Sequence, residues 1–241
     1  MFQPNQPGGP YAQGTQGQID LRTNTQTQGA YLNQAFFWMF AGLLLTAAVG
    51  FLVQGNISVL RFVASNFILI ILAQLALGLG IQFGIRRISA TVALGMFFVY
   101  AASIGVTVLA IALAVYPGAT VATAFLSASA MFGGAALYGY TTKRSLASMG
   151  GFLMMAIIGL VVAMVVNLFL ASDTFGFIIS IAGVVLFTVL TAFHVQRIAS
   201  GNLAIATGSV EKAAVLGALY LYLDFVNLFI FLLRIFGGGR R

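Results

Sequence analysis

The chain has no cysteine in 241 residues, a single histidine, one tryptophan and four carboxylates. Without thiols it forms no disulfide, presents no thiolate nucleophile and offers no ligand to an iron–sulfur cluster. A resident metal such as zinc needs three or four converging ligands; one histidine and four scattered acids are a poor supply, and no HExxH occurs. The same poverty argues against hydrolysis. A serine protease needs a serine positioned near His194 and an oxyanion site, and Ser200-Gly201, close in sequence, lacks a glycine-framed serine. Paired-aspartate proteolysis fails because only one aspartate falls inside an apolar run, and no Gly-x-x-x-x-Gly-Lys phosphate loop is present. No catalytic residue and no cofactor are expected, and the protein does not read as an enzyme.

Charge is as scarce as chemistry. Charged residues make up 6% of the chain and apolar ones 61%, where a soluble domain carries about 25% charged residues. The sequence is that of an integral membrane protein. Its net charge of +7 comes from eleven basic residues scattered over loops, the distribution of topology signals rather than of a nucleic-acid surface. Lipid is the expected partner, and nucleic acid is not.

Proline is almost confined to one end. Three of the four prolines lie in the first 30 residues, with seven glutamines and only Asp20 and Arg22 charged. This composition predicts a disordered tail over 1–30 and a transmembrane domain over 31–241. The tail lacks the basic start and apolar core of a signal peptide, so the first span itself is expected to direct insertion.

Beyond the tail, apolar stretches reach the roughly 20 residues a helix needs to cross a ~30 Å core, without the alternation of a barrel strand. Seven helical spans are predicted near 32–53, 64–85, 91–115, 118–140, 149–171, 175–194 and 213–236, with Pro117-Gly118 and Ser172-Asp173 marking tight turns. The longest internal connection is expected over 195–212. Small residues such as Gly159 with Ala163, and Gly133, Gly134 and Ala135 near Gly139, suggest close helix packing. With the tail inside, the inner side collects Arg22, Arg86, Arg87, Lys143, Arg144, Arg197 and Lys212, against Arg61, Arg234, Arg240 and Arg241 outside. Seven against four favours a cytoplasmic amino terminus. The arginines at the carboxyl end count the other way, which leaves open whether the seventh helix crosses fully or is re-entrant.

The stretch YLYLDFVNLFIFLLRIFG, 220–237, is apolar enough to span yet carries Asp224. A charge there costs roughly 2.5 to 3.5 kcal/mol on insertion scales, so something in the working protein must offset it. Asn227 lies one turn on, and Tyr220 one turn before. That face must point toward other helices or water, because lipid cannot satisfy it. His194 closes the predicted sixth span, on the Asp224 half of the membrane. Asp224 sits about eleven residues into its own span, roughly 16 Å along a straight helix, so a tilt, a kink or a later span-six boundary is needed to bring the two level.

The runs GYTTKRSLASMG (139–150), GFLMMAIIGLVVAMVVNLFL (151–170), TAFHVQRI (191–198) and EKAAVLGALYLYLDFVNLFIFLLRIFG (211–237) closely resemble the Bax-inhibitor-1 family, especially its bacterial members. The resemblance covers about residues 30 to 238. It implies an all-α fold of seven transmembrane helices, six surrounding a central seventh, and a pH-sensitive calcium or cation leak in the bacterial inner membrane. It also implies an alternative activity, a non-conducting regulator bound to a membrane protease or quality-control complex. The family's sensor pairs two aspartates, one at the end of helix six and one in helix seven. Asp224 matches the second; His194 stands in place of the first. An arginine at the end of helix two supports the closed state in some relatives, and here Arg86 or Arg87 matches it.

Two carboxylates share a proton and repel when both ionise. A histidine and an aspartate attract while the histidine is protonated and can still hydrogen-bond when it is neutral, so the latch is expected to hold or tighten on acidification. The pH response is accordingly expected to be altered or inverted. Asp224, with Asn227 and backbone carbonyls, would give calcium only a weak transit site, since calcium prefers six to eight oxygens. A receptor is a third reading, but nothing in the sequence marks a ligand pocket.

Overall fold

In the computed structural model, residues 25–238 are described. Among them there is no strand. The helices are α1 (Thr25–Val53), α2 (Ile57–Ser65), α3 (Phe67–Gly84), α4 (Ala90–Ile104), α5 (Ala110–Val115), α6 (Gly118–Thr141), α7 (Gly150–Leu170), α8 (Asp173–Ala199), α9 (Asn202–Thr207) and α10 (Val210–Gly237). A π-helical turn, Gly105–Leu109, joins α4 to α5 into one span, and a 3₁₀ turn, Ala147–Met149, leads into α7. Seven of these segments are long and apolar enough to cross a membrane. The tail predicted over 1–30 lies outside the described residues as far as residue 24, and α1 begins at Thr25.

Two boundaries and one span interior differ notably from the sequence reading. The second span was expected to begin at 64. Asn66 instead breaks the helix by turning both its amide and its backbone N–H onto the Phe62 carbonyl, and α3 starts after it. The third span carries a π turn in its middle. The sixth span was expected to stop at 194, yet α8 runs five residues further, because Val195 and Ile198 still bury themselves on the bundle side while Gln196 and Arg197 are only half-buried. The predicted 195–212 loop is therefore largely helix: the end of α8, the short α9 and the start of α10. Gly201 and Gly208, both at φ 72°, make the two reversals around α9, a left-handed conformation that L side chains rarely adopt.

The spans differ greatly in burial. In α10 78% of the apolar window is buried inside the protein, against 11% in α3. α10 packs against α8, α1, α6, α4 and α3, while α7 packs chiefly on α8. The outward faces of the other spans are lined with side chains such as Ile68, Phe83, Leu168 and Phe169, the apolar surface that a lipid solvent accepts.

Close approach happens at glycines other than most of those singled out from sequence. Gly133, Gly134 and Gly159 have open space where a side chain would stand. Gly139 does pack, directly on the backbone of Ala192, and Gly105 lies against the Thr46 carbonyl. Gly42 meets the Phe97 ring, Gly183 the Phe231 ring and Gly176 the Arg234 guanidinium. A composition of small residues says that helices come close; which face of each helix does so depends on its rotation, which the composition does not encode.

The carboxyl-terminal helix is continuous. Its 28 residues extend about 42 Å at 1.5 Å per residue, and its Arg234 end lies beside Gly176, at the start of α8. α10 thus runs from the face that carries Arg197 and Lys212 to the face that carries Asp173, without the break a re-entrant segment would need.

Candidate functional site

α8 and α10 run antiparallel in a register that contacts trace step by step. Gly176 meets Arg234, Gly183 meets Phe231, and Ile198 meets Gly217. Between the last two, this register sets His194 opposite Asp224. Each helix starts at a serine cap: Ser172 accepts from the Phe175 N–H at the start of α8, and Ser209 from the Lys212 N–H at the start of α10. The extra turn of α8 beyond residue 194 is what levels the two side chains.

His194 Nδ1 lies 2.7 Å from Asp224 Oδ2. The carboxylate is 2% exposed, and the imidazole side chain 14%. This is the one ion pair among the described residues. A protonated imidazole and a carboxylate sum to no net charge, and their contact is then a charge-assisted hydrogen bond of the kind that offsets the cost of placing a carboxylate inside the membrane.

Aromatic neighbours hold the imidazole in plane. Tyr220, one turn before Asp224 on α10, stacks on it with ring centres 4.8 Å apart and planes 12° from parallel. Phe193 meets it at 5.5 Å from the adjoining position of α8. Among the described residues no third histidine, aspartate, glutamate or cysteine joins the pair to make a metal centre.

The other residues singled out from sequence do not bond to the pair. Asn227 donates its amide to the Leu223 carbonyl of its own helix at 2.8 Å. Arg86 donates from Nε to the Ala206 carbonyl of α9 at 2.9 Å, and its own carbonyl accepts from Lys212 Nζ at 3.2 Å. Arg86 therefore ties the end of the second span to the α9 turn that precedes α10. Arg87 is exposed beside it.

Sequence reasoning missed a second polar cluster on the opposite side of α10. The Tyr222 hydroxyl lies 2.7 Å from Thr46 Oγ1, which also lies 2.9 Å from the Gly42 carbonyl and 2.8 Å from the Ala101 carbonyl. Thr46 has one hydrogen to give to a carbonyl, so Tyr222 supplies the donor between the hydroxyls. A related cluster joins Gln74 Nε2 to Ser103 and Thr107 at the π turn, at 3.2 and 2.9 Å. The only signal for either was a lone polar residue in an apolar run.

A polytopic all-α membrane protein whose most buried helix carries a carboxylate closed by a single imidazole is the class that fold and site define. Comparison with known proteins narrows it. The family model described as "Inhibitor of apoptosis-promoting Bax1" matches residues 28–241, and the chain belongs to this Bax inhibitor-1 family. It is 40% identical over 228 residues to the inner membrane protein YbhL of Escherichia coli K12, covering 92% of this chain and 96% of the relative. It is 42% identical over 211 residues to an uncharacterized protein of Deinococcus radiodurans, covering 87% and 90%. An uncharacterized protein of Borreliella burgdorferi is 36% identical over 230 residues, covering 92% and 99%.

Proposed function

We propose that this protein is a pH-sensitive leak for calcium or other cations in a bacterial inner membrane, with its amino terminus in the cytoplasm and with its gate where α8 meets α10. The observation that carries the reading is the His194–Asp224 contact: a buried carboxylate, on the most enclosed helix, closed by one titratable partner on its neighbour. The other described acids, Asp173 and Glu211, stand in the first turns of α8 and α10. Asp224 is thus the acid that a cation crossing the bundle would meet at depth. The protein acts in this reading as a conduit, without catalysis.

The chemistry of the pair sets the direction of the response. While one proton is shared, the contact is neutral and closed. As pH rises that proton is lost, a net negative charge is left in the bundle, and the contact weakens; the neutral imidazole still donates to the carboxylate, so the loosening is gradual. Titration belongs to the pair rather than to either residue. An aspartate at 194 would behave differently. Losing the shared proton there leaves two adjacent negative charges, which repel and open the contact steeply.

Calcium entry into dye-loaded proteoliposomes across pH 5 to 8 tests this. The parent is expected to leak more toward pH 8 with a shallow slope, and His194→Asp with a steep one. Identical profiles in the two proteins would remove the gate from this pair. Silence in both, with protein correctly inserted, would overturn the leak and favour a non-conducting regulator of a membrane protease or quality-control complex.

A further inference from the structure

On the face of the bundle that holds the 142–146 loop, the last turns of α8 and that loop enclose a cleft of about 460 Å³. Three cations line it: Lys143, Arg144 and Arg197. No carboxylate lines it, and among the described residues none of the three cations has an acidic partner. Their side chains make no hydrogen bond to another described residue, and Arg197 is half-buried.

The cleft is held open by a specific clamp. The Gln196 amide accepts from the Leu146 N–H at 2.7 Å and donates to the Arg144 carbonyl at 2.8 Å, and the Arg144 N–H bonds to Thr142 Oγ1 at 3.3 Å. The loop that presents Lys143 and Arg144 is therefore fixed to the helix that presents Arg197. Three like charges are gathered by backbone geometry, with polar groups of Ser145, Ser200 and Asn202 around them. A site that brings cations together without a counter-charge is built to receive an anion.

Position identifies the anion's source. The cleft lies where α6 ends at Thr141 and where the fifth span begins at Ala147, the level at which headgroups meet the ends of spanning helices. Its lining also includes Phe193 and Ala147, which give an apolar wall beside the charges. We infer that the Lys143–Arg144–Arg197 cleft binds the phosphate of an anionic phospholipid headgroup. Basic pockets between spans have this chemistry, each cation contributing a modest electrostatic increment. The inference stands whether or not the protein conducts ions.

Native mass spectrometry of the full-length protein, in detergent supplied with phosphatidylglycerol or with phosphatidylcholine, tests it. The parent is expected to retain phosphatidylglycerol in preference. Arg197→Gln, and separately the double change Lys143→Gln with Arg144→Gln, are expected to weaken that retention by about fivefold for each cation removed, while Arg197→Lys keeps it. Arg61→Gln, on the opposite face, is expected to change nothing. An equal loss in Arg61→Gln, or equal retention of phosphatidylcholine, would overturn the site in favour of general charge attraction. Binding of inorganic phosphate as tight as that of phosphatidylglycerol would overturn the lipid and leave a site for a soluble anion.

Discussion

Two faces of α10, two residues apart, hold their neighbours by different means. On one, Tyr222 reaches Thr46 of α1, and through it the Ala101 carbonyl of α4, while its ring meets Phe97 at 5.5 Å and Tyr100 at 6.1 Å edge-on. On the other, Asp224 reaches His194 of α8. The first face joins three helices through hydroxyls and rings, with no carboxylate or imidazole in the contact. The second is a single contact between an imidazole and a carboxylate. Under the proposed gate, the side of α10 toward α1 and α4 is the fixed one and the side toward α8 the one that releases.

The largest effect that tests this asymmetry is expected at the fixed face. Tyr222→Ala removes a fully buried ring and the donor to Thr46 and is expected to cost about 3–5 kcal/mol, the range for truncating a large aromatic. Thermal unfolding in detergent measures it, and a shift no larger than that of an exposed substitution would deny the face its role as anchor. His194→Ala comes next, with an expected loss of about 1.5–3 kcal/mol for a charge-assisted hydrogen bond. That loss is expected to be greater at pH 8, where Asp224 is left charged and alone, than at pH 5, where it can take up a proton. Equal losses at the two pH values would show that the carboxylate does not titrate with the contact.

Smaller changes separate the faces more finely. Asp224→Asn keeps the shape and a hydrogen bond to His194 but removes the shared proton, so flux is expected to become nearly independent of pH between 5 and 8; a profile unchanged from the parent would make Asp224 a packing residue. Tyr222→Phe deletes a single hydroxyl and is expected to cost about 0.5–1.5 kcal/mol, by the same amount at both pH values. A pH-dependent cost there would mean that the two faces are coupled and that the distinction between them fails.

Much of this was legible before the fold was known, and the reasons are physical. Seven apolar runs of bilayer length leave helices as the economical way to satisfy the backbone in lipid, and the structure has seven such helices. Asp224 stood out because an acid in an apolar span demands a partner. Tyr220 and Asn227 were placed on its face by helical periodicity. Their roles diverge: Tyr220 stacks on His194, whereas Asn227 turns back on the Leu223 carbonyl. Periodicity gives a direction around the helix but not the rotamer that a side chain takes there.

Thr46, Gly105 and Gln196 were harder to see because each acts on residues far away in the chain. Thr46 bonds across 55 and 176 positions to Ala101 and Tyr222, and Gln196 across 50 and 52 to Leu146 and Arg144. Gly105 matters because a side chain there would strike the Thr46 carbonyl, whereas Gly133 and Gly159 look the same in sequence and face open space.

By itself, the sequence determined that this chain enters a membrane, that it does so as helices, that it belongs with the bacterial Bax inhibitor-1 proteins by its closing runs, and that one buried acid would need compensation. These follow from hydropathy, length and the cost of charge in hydrocarbon, which are properties of each segment alone. Tertiary structure decided that α8 runs on to Ala199 and lies antiparallel to α10 in the one register that sets His194 against Asp224. It also decided that Tyr222 is fastened on the far side, and that three cations of two separate segments converge on one cleft. Those outcomes depend on the rotation and axial shift of one helix against another, which packing across the whole bundle sets.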